Sequence, residues 1–191
     1  KASADLIVFS AKDDDQSIDI PASYSKQISP EANLVIGIQL QKLFFEKFRV
    51  KFDFTNSGVS PNTLDANASD KSITNFLLKK KTTSYYGNAL EGSVGYEGKT
   101  FNAGISLNRI DSDFETFGAY FFNRDIMDIQ AFTNFGLLQN KLNTSLKFGT
   151  QSNNLDGSKP TTTTRLIYDV QTAWSAEKLN VQTNYSNNSS T

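Results

Sequence analysis

The chain contains no cysteine and no histidine. The first absence excludes a disulfide framework and thiol chemistry. The second removes the commonest general base, the commonest metal ligand and every Ser-His catalytic pair. Serines abound without a partner base, and no carboxylate pair has a distinctive spacing, so no enzyme activity, cofactor or metal is expected. Also missing is any run of about eighteen apolar residues, which excludes a transmembrane helix. There is no basic excess: the formal net charge is -1, which argues against a nucleic-acid partner. One methionine and one tryptophan stand against fifteen phenylalanines and seven tyrosines, a composition suited to strands in water or in lipid.

What the sequence does have is a period of two. Ile129, Ala131, Thr133, Phe135 and Leu137 alternate with Gln130, Phe132, Asn134 and Gly136. The pattern resumes with Leu142, Thr144, Leu146 and Phe148 against Asn143, Ser145, Lys147 and Gly149. It returns as Leu166, Tyr168, Val170, Thr172, Trp174, and again as Leu179, Val181, Thr183, Tyr185. Upstream, Asn33–Lys42, Phe48–Thr55, Tyr86–Tyr96 and Phe101–Asn108 alternate likewise, and Leu6–Ala11 is a short apolar strand of ambiguous facing. Strands of about ten residues with this period, joined in antiparallel pairs, are the pattern of a transmembrane β-barrel. A mean hydropathy of -0.41 is compatible, because only every second residue would face lipid. The expected fold is therefore all-β: an antiparallel up-and-down transmembrane barrel of about nine strands over residues 1–191, or a segment of a larger barrel.

The connections sort by length. Short ones fall near Phe45, Gly98, Asn140 and Ala176; long ones span 12–30, 56–83, 109–125 and 153–162, with a helical turn expected near Ile73–Lys79. Outer-membrane barrels have short periplasmic turns and long extracellular loops. Strands of this length, at about 3.3 Å per residue and tilted about 40°, cover an apolar height of about 25 Å. Single-chain bacterial barrels usually have an even strand number. An odd count, with a polar tail Ser186–Thr191, points either to a segment of a larger barrel or to one further strand. No leader precedes the first strand, so the expectation is that one has been removed or that the chain starts inside a longer protein.

The two faces differ. Phe48, Val50, Phe52, Phe54, Leu142, Leu146, Phe148, Tyr168, Val170 and Trp174 are the candidate lipid-facing residues. A charge among them would cost about 2–4 kcal/mol near the midplane. Arg49, Lys51, Asp53, Glu91, Glu97, Asp128, Lys147, Arg165 and Asp169 are the candidate lumen-lining residues. These would tune ion or solute selectivity; the plainer alternative is that opposite charges pair across neighbouring strands and pack the interior. Phe44, Phe45, Phe101 and Trp174 sit beside short turns, as a periplasmic aromatic girdle would, with Tyr168 and Tyr185 towards the long loops.

Loop features carry weaker signals. Asp13-Asp14-Asp15 and Asp111/Asp113/Glu115 offer carboxylates to calcium but lack EF-hand spacing, and read as solvated. Lys79–Lys81 suits glycolipid phosphates or simple solvation, and Tyr120-Phe121-Phe122 a docking patch or interfacial anchor. The Asn-x-Ser/Thr matches at Asn67 and Asn143 read as chance.

The segment Asp111 to Asp125, reading Asp-Ser-Asp-Phe-Glu-Thr-Phe-Gly-Ala-Tyr-Phe-Phe-Asn-Arg-Asp, resembles part of a group of large, poorly characterised outer-membrane β-barrel proteins of Bacteroidota. Leu138–Asn143, Asn154-Leu155-Asp156-Gly157, Thr162–Arg165, Lys12-Asp13-Asp14 and Pro30–Asn33 extend the resemblance over most of the chain. It implies a barrel in a Gram-negative outer membrane and transfers no functional residue. The leading expectation is passage of a solute or polypeptide, alone or within a membrane complex. The partners are then the lipid bilayer and other outer-membrane subunits. The rivals are a scaffold barrel with a plugged lumen and a soluble β-rich binding or surface-fibre protein.

Overall fold

The computed structural model describes residues 2–14, 16–17, 28–69, 78–119, 123–139, 141–176 and 179–190. Among them nine strands lie in one antiparallel sheet in chain order: β1 (Ala2–Lys12), β2 (Ala32–Phe44), β3 (Phe48–Ser60), β4 (Tyr85–Glu97), β5 (Phe101–Ile110), β6 (Ile126–Leu137), β7 (Leu142–Asn153), β8 (Thr164–Ser175) and β9 (Asn180–Ser190). Each strand pairs only with its sequence neighbours, and the sheet is open, with β1 and β9 at its edges. The meander is as expected; a closed barrel is not what the sheet displays. The helical turn expected over residues 73–79 falls largely outside the described residues, and Tyr120-Phe121-Phe122 lies wholly outside them.

The strands are longer than alternation alone predicts, mostly at the long-loop side. β3 runs to Ser60, so the following connection is 61–84 rather than 56–83. β1 reaches back to Ala2, β2 and β6 begin at Ala32 and Ile126, and β9 continues through the polar tail to Ser190. Lys12, Arg109 and Ile110 belong to strands rather than loops. The reason is physical: alternation reports the contrast between two solvents, whereas the backbone ladder continues wherever two strands can still pair. Asn56, Ser57 and Asn187 lack the contrast and keep the ladder.

Short turns occupy one end and long connections the other. At the first short turn Lys47 N–H donates to Phe44 O at 3.0 Å, and Phe45 and Glu46 both take positive φ, 50° and 58°. That is the left-handed twist a tight hairpin needs, adopted here without glycine. The register is staggered. A line perpendicular to the strands runs from Phe48 through Tyr96, Ala103, Thr133, Leu146 and Val170 to Tyr185. It starts at the first residue of β3 and ends at the sixth of β9, a climb of five residues over six strand pairs. At about 3.3 Å per residue and about 4.8 Å between strands, the strands tilt about 30° from the normal to the line of short turns.

Very little is buried. The core is a small cluster at the long-loop end, where Leu78 packs on Ala32, Leu34 and Ile36. The accessible surface is 13380 Å² for 21.2 kDa. A soluble monomer of that mass exposes about 9,000 Å². On the polar face one large ring is inset: Phe132 lies over the adjacent glycines Gly95 and Gly104, filling the space two side chains would take. A β-carbon at Gly104 would lie 2.6 Å from Phe132 Cζ and 2.5 Å from Val94 O. Gly104→Val is therefore expected to destabilise the sheet by about 1–3 kcal/mol, as overpacking does. Chemical unfolding followed by circular dichroism should show the lowered midpoint, and Gly104→Val combined with Phe132→Ala should recover part of it.

Candidate functional site

The register places the predicted charges together. Arg49, Lys51, Asp53, Glu91, Glu97, Asp128, Lys147, Arg165 and Asp169 all fall on one face of the sheet. Phe48, Val50, Phe52, Phe54, Leu142, Leu146, Phe148, Tyr168, Val170 and Trp174 fall on the other. The ambiguous first strand is resolved too: Leu6 joins the apolar face opposite Ile38, while Asp5 joins the polar face opposite Gln39.

On the apolar face, large side chains are open to the surroundings. Phe148 is 58% exposed, Ile105 57% and Phe52 40%. Beside the short turns Phe48 meets Tyr96 edge-on at 5.6 Å, Tyr96 lies 6.2 Å from Phe101, and Lys42 Nζ sits 4.8 Å over the Phe44 ring. Nearer the long loops Tyr168 and Tyr185 pack at 5.9 Å.

On the polar face, the only ion pair among the nine predicted charges is Arg49 with Glu97, a two-point contact in which Nη2 donates to Oε2 at 2.7 Å. Cross-strand pairing thus accounts for one pair among the described residues. Lys147 stands opposite Asp169 in the register, yet Asp169 Oδ1 is buried without a hydrogen-bond partner among the described residues.

The sequence reading missed the best-built feature of this face. The connection from β5 to β6 turns inward over its long-loop end and is fastened there. Asn33 is fully buried, and its Nδ2 donates to Ser57 Oγ at 3.0 Å, Gly58 O at 3.0 Å and Glu115 O at 3.2 Å. Its Oδ1 accepts from Phe117 N–H at 3.1 Å. Ser57 Oγ also donates to Glu115 O. Tyr85 donates to Glu115 Oε2 at 3.0 Å, and Arg124 pairs with the same oxygen at 3.0 Å. Gly87 lies so close beneath Phe114 that a β-carbon there would collide with its backbone. Asp111 ties the start of the loop to Asn88 N–H and Nδ2, each at 3.1 Å. Asp111 and Glu115, read as offered to calcium or solvent, are thus engaged in holding the loop. Nothing about Asn33 or Gly87 in the sequence distinguishes them from other polar or small strand positions, because their partners lie many residues away.

A second connection, between β7 and β8, docks on the first. Asp125 is buried at 3% exposure and holds φ 61°, a conformation Asp tolerates better than most residues. It accepts from Leu155 N–H at 2.7 Å and pairs with Lys159. The Lys159 ammonium, followed by backbone donors, holds its carboxyl below the usual range. Asp156 accepts from Ser158 N–H at 2.9 Å and Ser112 Oγ at 2.8 Å, and these bonds bring its pKa down to about 2. The Glu31 carboxyl is pushed up instead, by burial first and then by Asp13 and Glu115. A cleft of about 370 Å³ between the two loops is lined by Tyr85, Ser112, Asp113, Glu115, Arg124, Asp125 and Lys159. Its charges of both signs are largely paired with one another, and those pairs hold the two loops in place.

Asn33→Ala would leave Phe117 N–H without its buried partner and Glu115 O with Ser57 Oγ alone, a loss of about 1–3 kcal/mol. The expected outcome is faster protease cleavage within residues 111–119 with strand content unchanged by circular dichroism. A carboxyl with a depressed folded pKa stabilises the folded form above the usual carboxylate range and loses that contribution as pH falls through the folded value. Asp156 should therefore keep Ser158 N–H protected from hydrogen exchange at about pH 3.5 and release it only as the pH approaches 2. In Asp156→Asn the protection should no longer change across that range.

Comparison with protein-family models, curated proteins and solved structures found no match to this chain.

Proposed function

We propose that this chain forms the wall of an outer-membrane β-barrel whose polar face lines a lumen, and that the barrel passes solutes through a mouth narrowed by the loop anchored on Asn33. The observation that carries the reading is the charge-free, solvent-open face from Phe48 to Phe54 and from Leu142 to Phe148, set back to back with a face of charges and amides. In water such a face is a liability; in lipid it is the required surface. The sorted loops, the aromatic contacts near the turns and a tilt of about 30°, close to the 35–45° of closed barrels, agree with it. So does the resemblance to outer-membrane barrels of Bacteroidota.

Open edges are not tolerated in a bilayer. On this reading β1 and β9 pair with further strands, supplied by the rest of a longer chain or by another subunit. No catalysis is assigned and no nucleic acid is a partner. The inward loop favours one second reading, a barrel whose lumen is plugged and which scaffolds other surface subunits.

Heat-modifiable migration on gels and dependence on detergent are the expected behaviour of the purified protein. A monodisperse species in detergent-free buffer would sink the membrane reading. Conductance steps in planar bilayers are expected of the channel, and a folded barrel without them supports the scaffold. Phe52→Lys should cost about 2–4 kcal/mol and lower the yield of folded barrel in lipid, while Gln41→Lys, on the polar face, should assemble like the parent.

A further inference from the structure

One row of the polar face has a composition unlike its neighbours. Reading straight across the ladder, Asp5 stands opposite Gln39, Gln39 opposite Asp53, Asp53 opposite Glu91, Glu91 opposite Asn108, Asn108 opposite Asp128, Asp128 opposite Gln151, and Gln151 opposite Arg165. Four carboxylates thus share one level from β1 to β6, with no base among them until Arg165 on β8. The next row towards the short turns, Ser3, Gln41, Lys51, Ser93, Ser106 and Gln130, holds a single base. The next row the other way, Ile7, Gly37, Thr55, Ala89, Ile110 and Ile126, holds no charge.

These carboxylates are not neutralised from within. Among the described residues none of Asp5, Asp53, Glu91 and Asp128 makes an ion pair. Among the described residues Asp53 accepts only from the neutral Gln39 Nε2 at 3.1 Å and Thr55 Oγ1 at 3.4 Å. Glu91, directly across from it, has no hydrogen bond among the described residues. Like charges directly opposite on a sheet destabilise it. Asp128 gives the second, independent sign: it is 9% exposed, and its Oδ1 is buried without a hydrogen-bond partner among the described residues. A buried, unpartnered carboxylate oxygen is a standing demand for a cation or a bound water.

We propose that the row Asp5, Asp53, Glu91 and Asp128 is a cation-selecting belt, so that the lumen admits small hydrated cations and cationic solutes ahead of anions. This rests on the reading of the polar face as a lumen. Rings of carboxylates select cations in pores by their field, which a narrow, low-dielectric passage concentrates. The belt lies four residues, or about 13 Å, below Ser57, where the inward loop is fastened, so an ion passes the mouth before reaching it.

The test is the reversal potential of the full chain in planar bilayers across a tenfold potassium chloride gradient, compared with Asp53→Asn/Glu91→Gln/Asp128→Asn. Asp13→Asn/Asp14→Asn/Asp15→Asn removes as many acidic charges from a loop and serves as the control. The parent should prefer potassium. The belt variant should lose about threefold or more of that preference, and the loop control should keep most of it. An anion-preferring or unselective parent, or a belt variant identical to it, overturns the belt and leaves the channel reading standing. Should a heat-modifiable, folded parent show no conductance, the channel reading fails instead. The belt is then decided by equilibrium dialysis of Tb³⁺ against the same proteins in detergent, where equal retention by parent and belt variant overturns it and loss confined to the belt variant supports it.

Discussion

Backbone hydrogen bonding in an antiparallel ladder fixes which residues stand opposite one another, and a slip of one residue would exchange the two faces of a strand. Between Ala2 and Ser190 all eight pairings run without an inserted residue. Everything else in the structure depends on that continuity. It lets Phe52 on β3 share a surface with Phe148 on β7, though few direct contacts could hold them to it. It also gathers Asp53, Glu91 and Asp128 at one level, although 75 positions separate the first from the last. The two faces are a property of the register before they are a property of any side-chain contact.

The sheet is in this respect unlike a soluble sandwich. There, face identity is enforced by a core: a slipped strand would bury charge. Here the buried cluster of Ala32, Leu34 and Leu78 is confined to one end, and among the described residues the rest of the apolar face makes only neighbour contacts within its own surface, such as Phe48 with Tyr96 and Tyr168 with Tyr185. Alternation of about ten residues per strand, repeated with sorted loops, is then the means by which the chain states which side is which; on the proposed membrane reading, a bilayer supplies the missing enforcement.

That explains how much was legible in advance. A period of two in Phe48–Phe54 and Leu142–Phe148 directly encodes the facing of each strand, and one facing per strand determines the whole two-faced sheet. Strand ends were less legible, because Asn56–Ser60 and Ser186–Ser190 pair through backbone with no contrast between their sides. The loop anchor was illegible for a different reason. Asn33 serves it through four hydrogen bonds to Ser57, Gly58, Glu115 and Phe117, and such partners are set by three-dimensional placement, not by local spacing. The sequence offers Asp111, Asp113 and Glu115 as an acidic cluster; only the fold reveals that two of these three carboxylates hold the loop itself.

Strand order has a kinetic meaning as well. Because every strand pairs only with the one before and the one after it, each new hairpin finds its template already laid down beside it. Such a sheet can lengthen one hairpin at a time, and each step closes only the short stretch of chain between adjacent strands. On the proposed barrel reading, the join that brings the β1 and β9 edges to their partners is of another kind, since nothing in the meander holds such partners near. Growth of the sheet is a local process, and on that reading sealing it is the one step that is not.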